Sequence, residues 1–270
     1  MKICIVSKVE SRDALDLAQS VGWELSNQGH EVVYEESVAA ELGYSGVSLE
    51  NLSADLVFVI GGDGSVLRAV RLMKDQIPVL GINQGRVGFL TDIEKDTVST
   101  VFSGLKLPLA VDSRMRISVQ CNERNLGSAL NEAVIVTSRP SKMLSFNIFL
   151  DGRKIDSFRA DGVIVSTPTG STAYAMSAGG PIVDSGVEAI LLVPIAPYML
   201  SSRPYIFNSK SEVRIEVESV KTGLLAIDGQ DQYEIADQTT VIIRKADEPA
   251  RFVDVGRTFF EKVEQKLREH

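Results

Sequence analysis

Apolar and polar residues follow two successive patterns along the chain, and the N-terminal pattern indicates alternating strands and helices. Short apolar runs predict buried strands. After the first run, apolar side chains recur at intervals of three and four residues from Ala14 to Leu25, which predicts an amphipathic helix with Ser11 as N-cap and Gly29 as stop. The predicted strands are residues 2–6, 31–36, 54–60 and 78–83, and the predicted helices are residues 12–28 and 65–75. This alternation predicts a parallel sheet with helices on both faces.

From about residue 110 the pattern changes to short, β-branched runs separated by turn residues. Asp151-Gly152 lies between two such runs and suits the type I′ turn of a hairpin. The predicted strands here are residues 115–121, 129–137, 146–150, 162–167, 189–195, 212–218, 223–227 and 239–245. We expect an N-terminal Rossmann-like α/β domain with a parallel sheet at 1–105, followed by a mostly antiparallel, β-rich C-terminal domain at 106–255. A final helix within 256–270 is expected to pack back on the first domain.

Composition and charge narrow the possible partners. With 270 residues, the chain is long enough for two domains. No apolar stretch approaches the ~20 residues of a membrane-spanning helix, and MKICIVSKVE lacks the features of a signal peptide. The net charge of −8 disfavours binding to nucleic acid or to an anionic membrane. We therefore expect no nucleic-acid partner and no membrane partner.

The cysteines and histidines limit the chemistry. Cys4 and Cys121 lie far apart in apolar, strand-like contexts, which is typical of buried thiols in a reducing cytoplasm. Neither has the paired spacing of metal ligands, and the only histidines are His30 and His270, so we expect no metal site built from such residues. Histidine is equally disfavoured as a general base. The chemistry must therefore rest on carboxylates, hydroxyls, backbone amides, Lys or Arg.

The stretch Gly61-Gly62-Asp63-Gly64 follows a strand and precedes a helix. In one interpretation it is only the exit of the strand, with Asp63 or Ser65 capping the helix. In the other, the glycine amides and the helix N-terminus hold phosphate oxygens. Asp63 would then accept a proton from an attacking hydroxyl or hold a magnesium ion. The chain has no Walker A motif and no GxGxxG in the Rossmann position, so any nucleotide binding uses another design.

Polar residues in the second half offer further candidates. Asn131-Glu132 interrupts a predicted apolar strand. In one interpretation the segment is an edge strand or contains a bulge. In the other, the amide and the carboxylate recognise a diol such as a ribose. The segment 159–174 is more specific, because an apolar strand runs from a charged RADG directly into the hydroxyl-rich STPTGSTAY. Its hydroxyls and amides suit contacts to phosphate or purine. Asp228-Gly229-Gln230 is also explained by a hairpin turn.

Taken together, GGDG, NE, RADG and STPTGSTAYAMSAGGP closely resemble the motifs of the NAD kinase family, in order and spacing. LSSRP at 200–204 and DGQ at 228–230 fit the same pattern, so the resemblance extends over nearly the whole chain. It implies transfer of a phosphoryl group from ATP or polyphosphate to the 2′-hydroxyl of the adenosine ribose of NAD, giving NADP. It also implies an α/β domain followed by a β-rich one, as the hydrophobic pattern independently predicts.

The resemblance also implies roles for individual residues. Asp63 matches the catalytic residue, the general base that activates the 2′-hydroxyl. Lys142 lies where the family varies in residue type. The implied phosphate-holding residues are Gly61, Gly62, Gly64 and Arg68. The implied NAD contacts are Asp63, Gly64, Asn131, Glu132, Lys142, Arg159, Asp161, Thr169, Thr172, Ala173, Tyr174, Ser177 and Gln230.

Cofactor, assembly and location are implied in the same way. The resemblance implies Mg²⁺ or another divalent cation, a homodimer or homotetramer in which partner chains reach the site, and a cytoplasmic location. No motif distinguishes ATP from polyphosphate as donor, or NAD from NADH as acceptor. The alternatives are a lipid or sugar-phosphate kinase, since those enzymes also carry GGDG, and a non-catalytic NAD(P) sensor. A lipid kinase is expected to have a basic or amphipathic surface, and a sensor is expected to lack Asp63.

Overall fold

A computed structural model gives the fold of residues 1–83, 88–105, 107–139, 142–199, 201–218 and 222–268, which are the residues described below. Leu200 of the LSSRP segment and His270 lie outside them.

The strands, in chain order, are β1 (Lys2–Ser7), β2 (Glu31–Glu35), β3 (Gly46–Val47), β4 (Leu56–Gly61), β5 (Val79–Asn83), β6 (Ile93–Glu94), β7 (Val111–Arg114), β8 (Ile117–Cys121), β9 (Arg124–Ala129), β10 (Glu132–Thr137), β11 (Leu144–Leu150), β12 (Arg153–Ala160), β13 (Gly162–Ser166), β14 (Ala189–Ile195), β15 (Tyr205–Asn208), β16 (Val213–Val217), β17 (Gly223–Ile227), β18 (Asp231–Ile235), β19 (Thr239–Lys245) and β20 (Ala250–Val253). The α-helices are α1 (Arg12–Asn27), α2 (Glu36–Leu42), α3 (Asp63–Leu72), α4 (Val98–Gly104), α5 (Tyr174–Ser177) and α6 (Phe259–Arg268). Lys95–Thr97 and Thr169–Thr172 form short 3₁₀ helices.

The chain divides into two compact units. One comprises Met1–Ser113 together with Ala250–His270, and the other comprises Arg114–Pro249. The first unit thus takes in residues 106–113 and 250–255, which the sequence pattern assigns to the β-rich domain. The limits of independently folding domains stay a prediction.

The first unit is built on a largely parallel sheet. Its strands follow the order β3-β2-β1-β4-β5-β20-β7, with β6 beside β5. The pairs among β1 to β5 are parallel, as are those of β5 with β20 and β6. α1 begins where predicted, because the Ser11 hydroxyl accepts a hydrogen bond from Ala14 N at 3.3 Å. Its buried face packs into the same apolar cluster as the inner residues of β1 and β4.

The second unit is a β-sandwich. Among the described residues, six strands in the order β15-β14-β13-β10-β17-β18 form one sheet, and six in the order β12-β11-β16-β19-β8-β9 form the other. All pairs are antiparallel. Side chains from both sheets share one apolar core, including Ile135 and Val165 from the first and Phe146 and Ile243 from the second. Alternate burial along β16, β17 and β19 shows one face inward and one outward.

These elements confirm the predicted fold class, a parallel-sheet α/β part followed by a β-rich part. The predicted hairpin is present, and Asp151 (φ 49°) and Gly152 (φ 79°) have the positive φ of a type I′ turn. The pattern missed α2, whose seven residues are too few to show a helical period. That helix depends on its ends, with the Glu35 carboxylate accepting from Ser37 N and Gly43 in the left-handed region.

In the part of the chain that the structure describes, no helix has both the length and the apolar character needed to cross a membrane.

Candidate active site

The glycine loop joins β4 to α3 in the first unit. Gly62 is the N-cap of α3, and no side chain caps the helix. A Cβ added at Gly62 or Gly64 would meet no atom of the described residues within 4 Å. With respect to the described residues, the N-terminus of the helix, which carries the positive end of the helix dipole, is therefore open to a ligand at Gly62. The helix starts at Asp63, two residues earlier than predicted.

The Asp63 carboxylate is held by the loop that follows β5. Its two oxygens accept hydrogen bonds from Phe89 N (2.9 Å) and Leu90 N (3.0 Å). Gly88 makes this approach possible, since a Cβ there would lie 2.0 Å from Asp63 Oδ1. Asp63 therefore does not cap its own helix. Two backbone donors fix the carboxylate beside the loop, with further lone pairs free to accept a proton.

A cavity of about 410 Å³ lies beside the loop. Lys8 and Ser65 line it together with Gly62 and Gly64. The predicted phosphate ligand Arg68 also lines it, but its guanidinium pairs with the buried Glu35 at 2.9 Å. Glu10 adds one carboxylate to the lining, so the cavity combines backbone amides, hydroxyls and two cations with a single acidic residue, which suits an anionic ligand. The sequence pattern did not identify Lys8, which immediately follows β1.

In the second unit, the ends of three neighbouring strands meet. β10 begins at Glu132, which pairs with Ser166 at the end of β13, and the next residue pairs with Ile227 at the end of β17. Thr167 N donates to Asn131 O at 2.8 Å, and the Thr167 hydroxyl donates to Leu130 O. The NE, TPTGST and DGQ motifs, separated by many residues in the sequence, therefore lie together.

Asp228 is the centre of this arrangement. Its carboxylate accepts hydrogen bonds from the backbone N–H groups of Leu130 (2.8 Å), Asn131 (2.8 Å) and Glu132 (3.0 Å). Asp228 N in turn donates to Glu132 O at 2.9 Å. Asp228 was not among the predicted site residues. It fixes the backbone that carries two of them.

Glu132 is a buried carboxyl group in the same place, with 7% of its surface exposed. Burial, and after it the negative charge of Asp228, raises the pKa of Glu132 to about 8. Its Oε2 atom has no hydrogen-bond partner among the described residues. Glu132 is therefore neutral at moderate pH and retains hydrogen-bonding capacity for a ligand.

The TPTGST turn packs directly on Asn131. A Cβ at Gly170 would lie 2.2 Å from Asn131 O, so only glycine allows this contact. The Thr169 hydroxyl is buried without a partner among the described residues, and Thr172 Oγ1 donates to Thr169 O at 3.2 Å. The remaining predicted residues follow or flank the turn: Ala173 is half-buried, Tyr174 and Ser177 are exposed, and Gln230 is half-buried beyond β17.

Lys142, Arg159 and Asp161 do not join this group. Asp161 precedes β13, whereas the TPTGST turn follows it, and five strand residues span about 17 Å. Arg159 is near Asp161 and lies over the Tyr198 ring, 5.8 Å from its centroid. Lys142 lies two residues before β11, whose first residue pairs with Ala160. The structure thus separates the predicted contacts of this unit into two groups.

Comparisons with known proteins agree over the whole chain. The family model described as the ATP-NAD kinase N-terminal domain matches residues 3–106, and the one described as the ATP-NAD kinase C-terminal domain matches residues 130–255. A protein named NAD kinase from Methanocorpusculum labreanum is 66% identical over 269 residues, which cover 99% of each chain. Another, from Methanoculleus marisnigri, is 52% identical over 268 residues, again 99% of each chain.

Solved structures show the same similarity in three dimensions. An NAD kinase from Archaeoglobus fulgidus in complex with ATP superposes with a TM-score of 0.83 at 29% identity, covering 98% of this chain and 99% of that one. A yeast NADH kinase complexed with NADH gives a TM-score of 0.90 at 25% identity, and the match covers 99% of this chain and 87% of the yeast chain. These similarities identify a phosphotransferase class whose members share this fold. The chain belongs to the NAD kinase family.

Proposed function

We propose that the chain is an NAD kinase that transfers a phosphoryl group from ATP to the 2′-hydroxyl of the adenosine ribose of NAD, giving NADP. Family membership supports this proposal. The structural observation that carries it is the Asp63 carboxylate, fixed by two backbone amides beside an open helix N-terminus. A base beside a phosphate-holding loop is what phosphoryl transfer to a hydroxyl requires.

The proposed reaction proceeds in one displacement. The 2′-oxygen forms a bond to the γ-phosphorus, its proton passes to an Asp63 oxygen, and the bond from the γ-phosphorus to the bridging oxygen of ADP breaks. The amides of Phe89 and Leu90 keep Asp63 oriented throughout. Gly61, Gly62, Gly64 and Arg68 would hold the donor phosphates. Because phosphoryl transfer needs little covalent chemistry from the protein, positioning and charge supply most of the catalysis.

In the β-sandwich, the residues around Asp228 would recognise NAD. Asn131 offers an amide, and Glu132 offers a neutral carboxyl group that both donates and accepts hydrogen bonds. This combination suits the hydroxyls of a ribose. The other proposed contacts at this end are Thr169, Thr172, Ala173, Tyr174, Ser177 and Gln230.

We propose that Lys142, Arg159 and Asp161 serve the site of a second copy in a homodimer or homotetramer. Their place at the other end of β13 supports this assignment, since they cannot reach the TPTGST turn of their own sandwich. Tyr198 beside Arg159 is 70% exposed and Met199 57% exposed, which suits a surface covered by another chain.

We propose that a divalent cation enters with the donor. Among the described residues, no three His, Cys, Asp or Glu side chains group so as to hold a metal ion. Mg²⁺ is commonly bound by substrate phosphates with one or two carboxylates, and Asp63 is the carboxylate at the loop. When bound, the cation would offset the negative charge of the donor phosphates.

We propose a cytoplasmic location for this reaction. Cys4 and Cys121 are free thiols that form no disulfide. Burial raises the pKa of the Cys4 thiol to about 12, which keeps this thiol unreactive. Free thiols of this kind are typical of a reducing compartment. No observation favours a lipid or sugar-phosphate kinase, and the presence of Asp63 disfavours a sensor.

Incubation with NAD and magnesium, with ATP or polyphosphate as donor, tests the proposed function. NADP is followed with an NADP-specific dehydrogenase, and we expect it to appear with ATP. NADP formation with polyphosphate but not with ATP would support the kinase function and show that polyphosphate, not ATP, is the donor. NAD binding by calorimetry without turnover on either donor would favour the sensor. Absence of both binding and turnover would contradict NAD as the substrate.

A further inference from the structure

The C-terminal helix α6 brings a cation to the catalytic aspartate. Lys266 Nζ lies 3.9 Å from Asp63 Oδ2 and 4.2 Å from the centroid of the Phe89 ring. Phe89 is also the residue whose backbone N–H holds Asp63. All of these residues belong to the first unit. One ammonium group thus contacts both the carboxylate and the segment that orients it.

α6 is held firmly enough to place this group. Thr258 and Glu261 form a reciprocal capping box, with Thr258 N donating to Glu261 Oε2 (2.8 Å) and Glu261 N donating to Thr258 Oγ1 (3.3 Å). One turn before Lys266, Lys262 forms a buried ion pair with Asp92. Residues four apart lie on the same helix face, so the Lys262 anchor directs Lys266 toward the same side of the unit.

The glycine loop carries no cation of its own, although Lys8 and Arg68 line the cavity beside it. Residues 61–65 contain Asp63 and no Lys or Arg, so the loop itself contributes a negative side chain to a site for phosphates. Arg68 is engaged with Glu35. The Lys266 ammonium has no hydrogen bond to any described residue, and 33% of the surface of its side chain is exposed. Beside its ion pair with Asp63, the ammonium therefore keeps N–H donors for an anion that approaches this carboxylate.

We propose that Lys266 contacts the phosphoryl group being transferred, so that α6 is part of the active site. The inference rests on the proposed kinase function. As the γ-phosphoryl group moves toward the acceptor oxygen beside Asp63, an ammonium at 3.9 Å from that carboxylate offsets the negative charge of both. Lys266 thereby supplies from the end of the chain the lysine that the glycine loop lacks.

Lys266→Met and Lys266→Arg in the full chain test the inference, with Lys74→Met as the matched control. Lys74 is an exposed lysine of the same unit with no described contact. We expect kcat for NADP formation to fall about 100-fold in Lys266→Met, the effect of losing one charge-stabilising donor. The KM for NAD should change by less than about threefold, because NAD binding does not use this group. The kcat of Lys266→Arg should be about tenfold higher than that of Lys266→Met, because arginine keeps the positive charge in a side chain of different shape.

Binding of inorganic tripolyphosphate, followed by calorimetry, separates this inference from the proposed function. Lys266→Met should bind it about tenfold more weakly than wild type, whether or not wild type makes NADP. Unchanged tripolyphosphate binding would overturn the proposal even if kcat fell, because Lys266 would then only brace Asp63. A kcat within about threefold of wild type would also overturn it. If Lys266→Met does not fold, Lys266→Gln takes its place in both measurements.

Discussion

Glu132 carries a carboxyl group whose protonation is set by its place in the β-sandwich. In the unfolded chain this group has a pKa near 4.5, whereas burial and Asp228 raise the pKa of Glu132 to about 8 in the folded protein. Between these values the folded state binds more protons than the unfolded state. The stability of the protein should therefore fall as the pH rises through this window.

Glu132→Gln should remove this dependence, because a neutral amide replaces a carboxyl group that loses its proton. Relative to wild type, the variant should gain stability from pH 4.5 to about 8. The difference in unfolding free energy between the variant and wild type should change by no more than about 1.4 kcal/mol per pH unit. Urea unfolding of both proteins at several pH values in this window measures the difference. Asp247→Asn, at an exposed carboxylate, is the control. Its difference in unfolding free energy from wild type should stay constant across these pH values. If the difference in unfolding free energy between Glu132→Gln and wild type does not change with pH, the raised pKa of Glu132 is contradicted.

Single residues also show where sequence reasoning ends. Asn131 and Glu132 could be identified because two adjacent polar residues interrupt an apolar sequence run, although the structure places them at the start of β10 and not inside a strand. Asp228 could not, because its turn conformation (φ 49°, followed by Gly229 at φ 65°) fully explains a DGQ sequence. Its hydrogen bonds to Leu130 and its neighbours depend on the pairing of β10 with β17, which no local pattern encodes.

Among the elements of the fold, the link between β4 and α3 is the proposed phosphate-binding loop, and one added methyl group tests this proposal. Gly62→Ala should leave the fold intact, because φ of −105° is accessible to alanine and no atom of the described residues lies within 4 Å of the new Cβ. The N-cap preference costs about 1 kcal/mol or less. The methyl group should instead occupy the space of the donor phosphates. We expect the KM for ATP to rise about tenfold with little change in the KM for NAD.

Gly104→Ala is the matched control, since a Cβ there also meets none of the described atoms within 4 Å and Gly104 lies at the end of α4. Steady-state kinetics at varied ATP, with thermal unfolding to check the fold, compares the two variants. An unchanged KM for ATP in Gly62→Ala would show that the phosphates do not pass this side of the loop.

The elements themselves were largely predictable, because buried parallel strands and alternating antiparallel strands leave strong periodic signals. β1, β4 and β13 are examples in which the apolar run and the observed strand nearly coincide. α2 and β3 were not predictable, since they are short and depend on caps and on pairing with β2.

At the scale of the whole molecule, the net charge of −8 opposes binding of two anionic substrates. An anionic substrate therefore needs local positive charge, and Lys8, Arg68 and Lys266 all lie around the glycine loop. Lys8 is close to the loop because β1 and β4 are neighbours in the sheet. Lys266 could not be identified from the sequence, because nothing in the pattern of α6 indicates which of its lysines faces Asp63.

Asp63 is the proposed base of the kinase reaction. The most direct test is NADP formation by wild type and by Asp63→Asn, with Asp75→Asn as an exposed control in the same unit. Calorimetry should show normal NAD binding in all three proteins. We expect wild type and the control to form NADP and Asp63→Asn to lose about 100-fold or more in kcat, because asparagine cannot take the proton. Asp63→Asn retaining more than about a tenth of wild-type kcat, with normal NAD binding, would contradict the assignment.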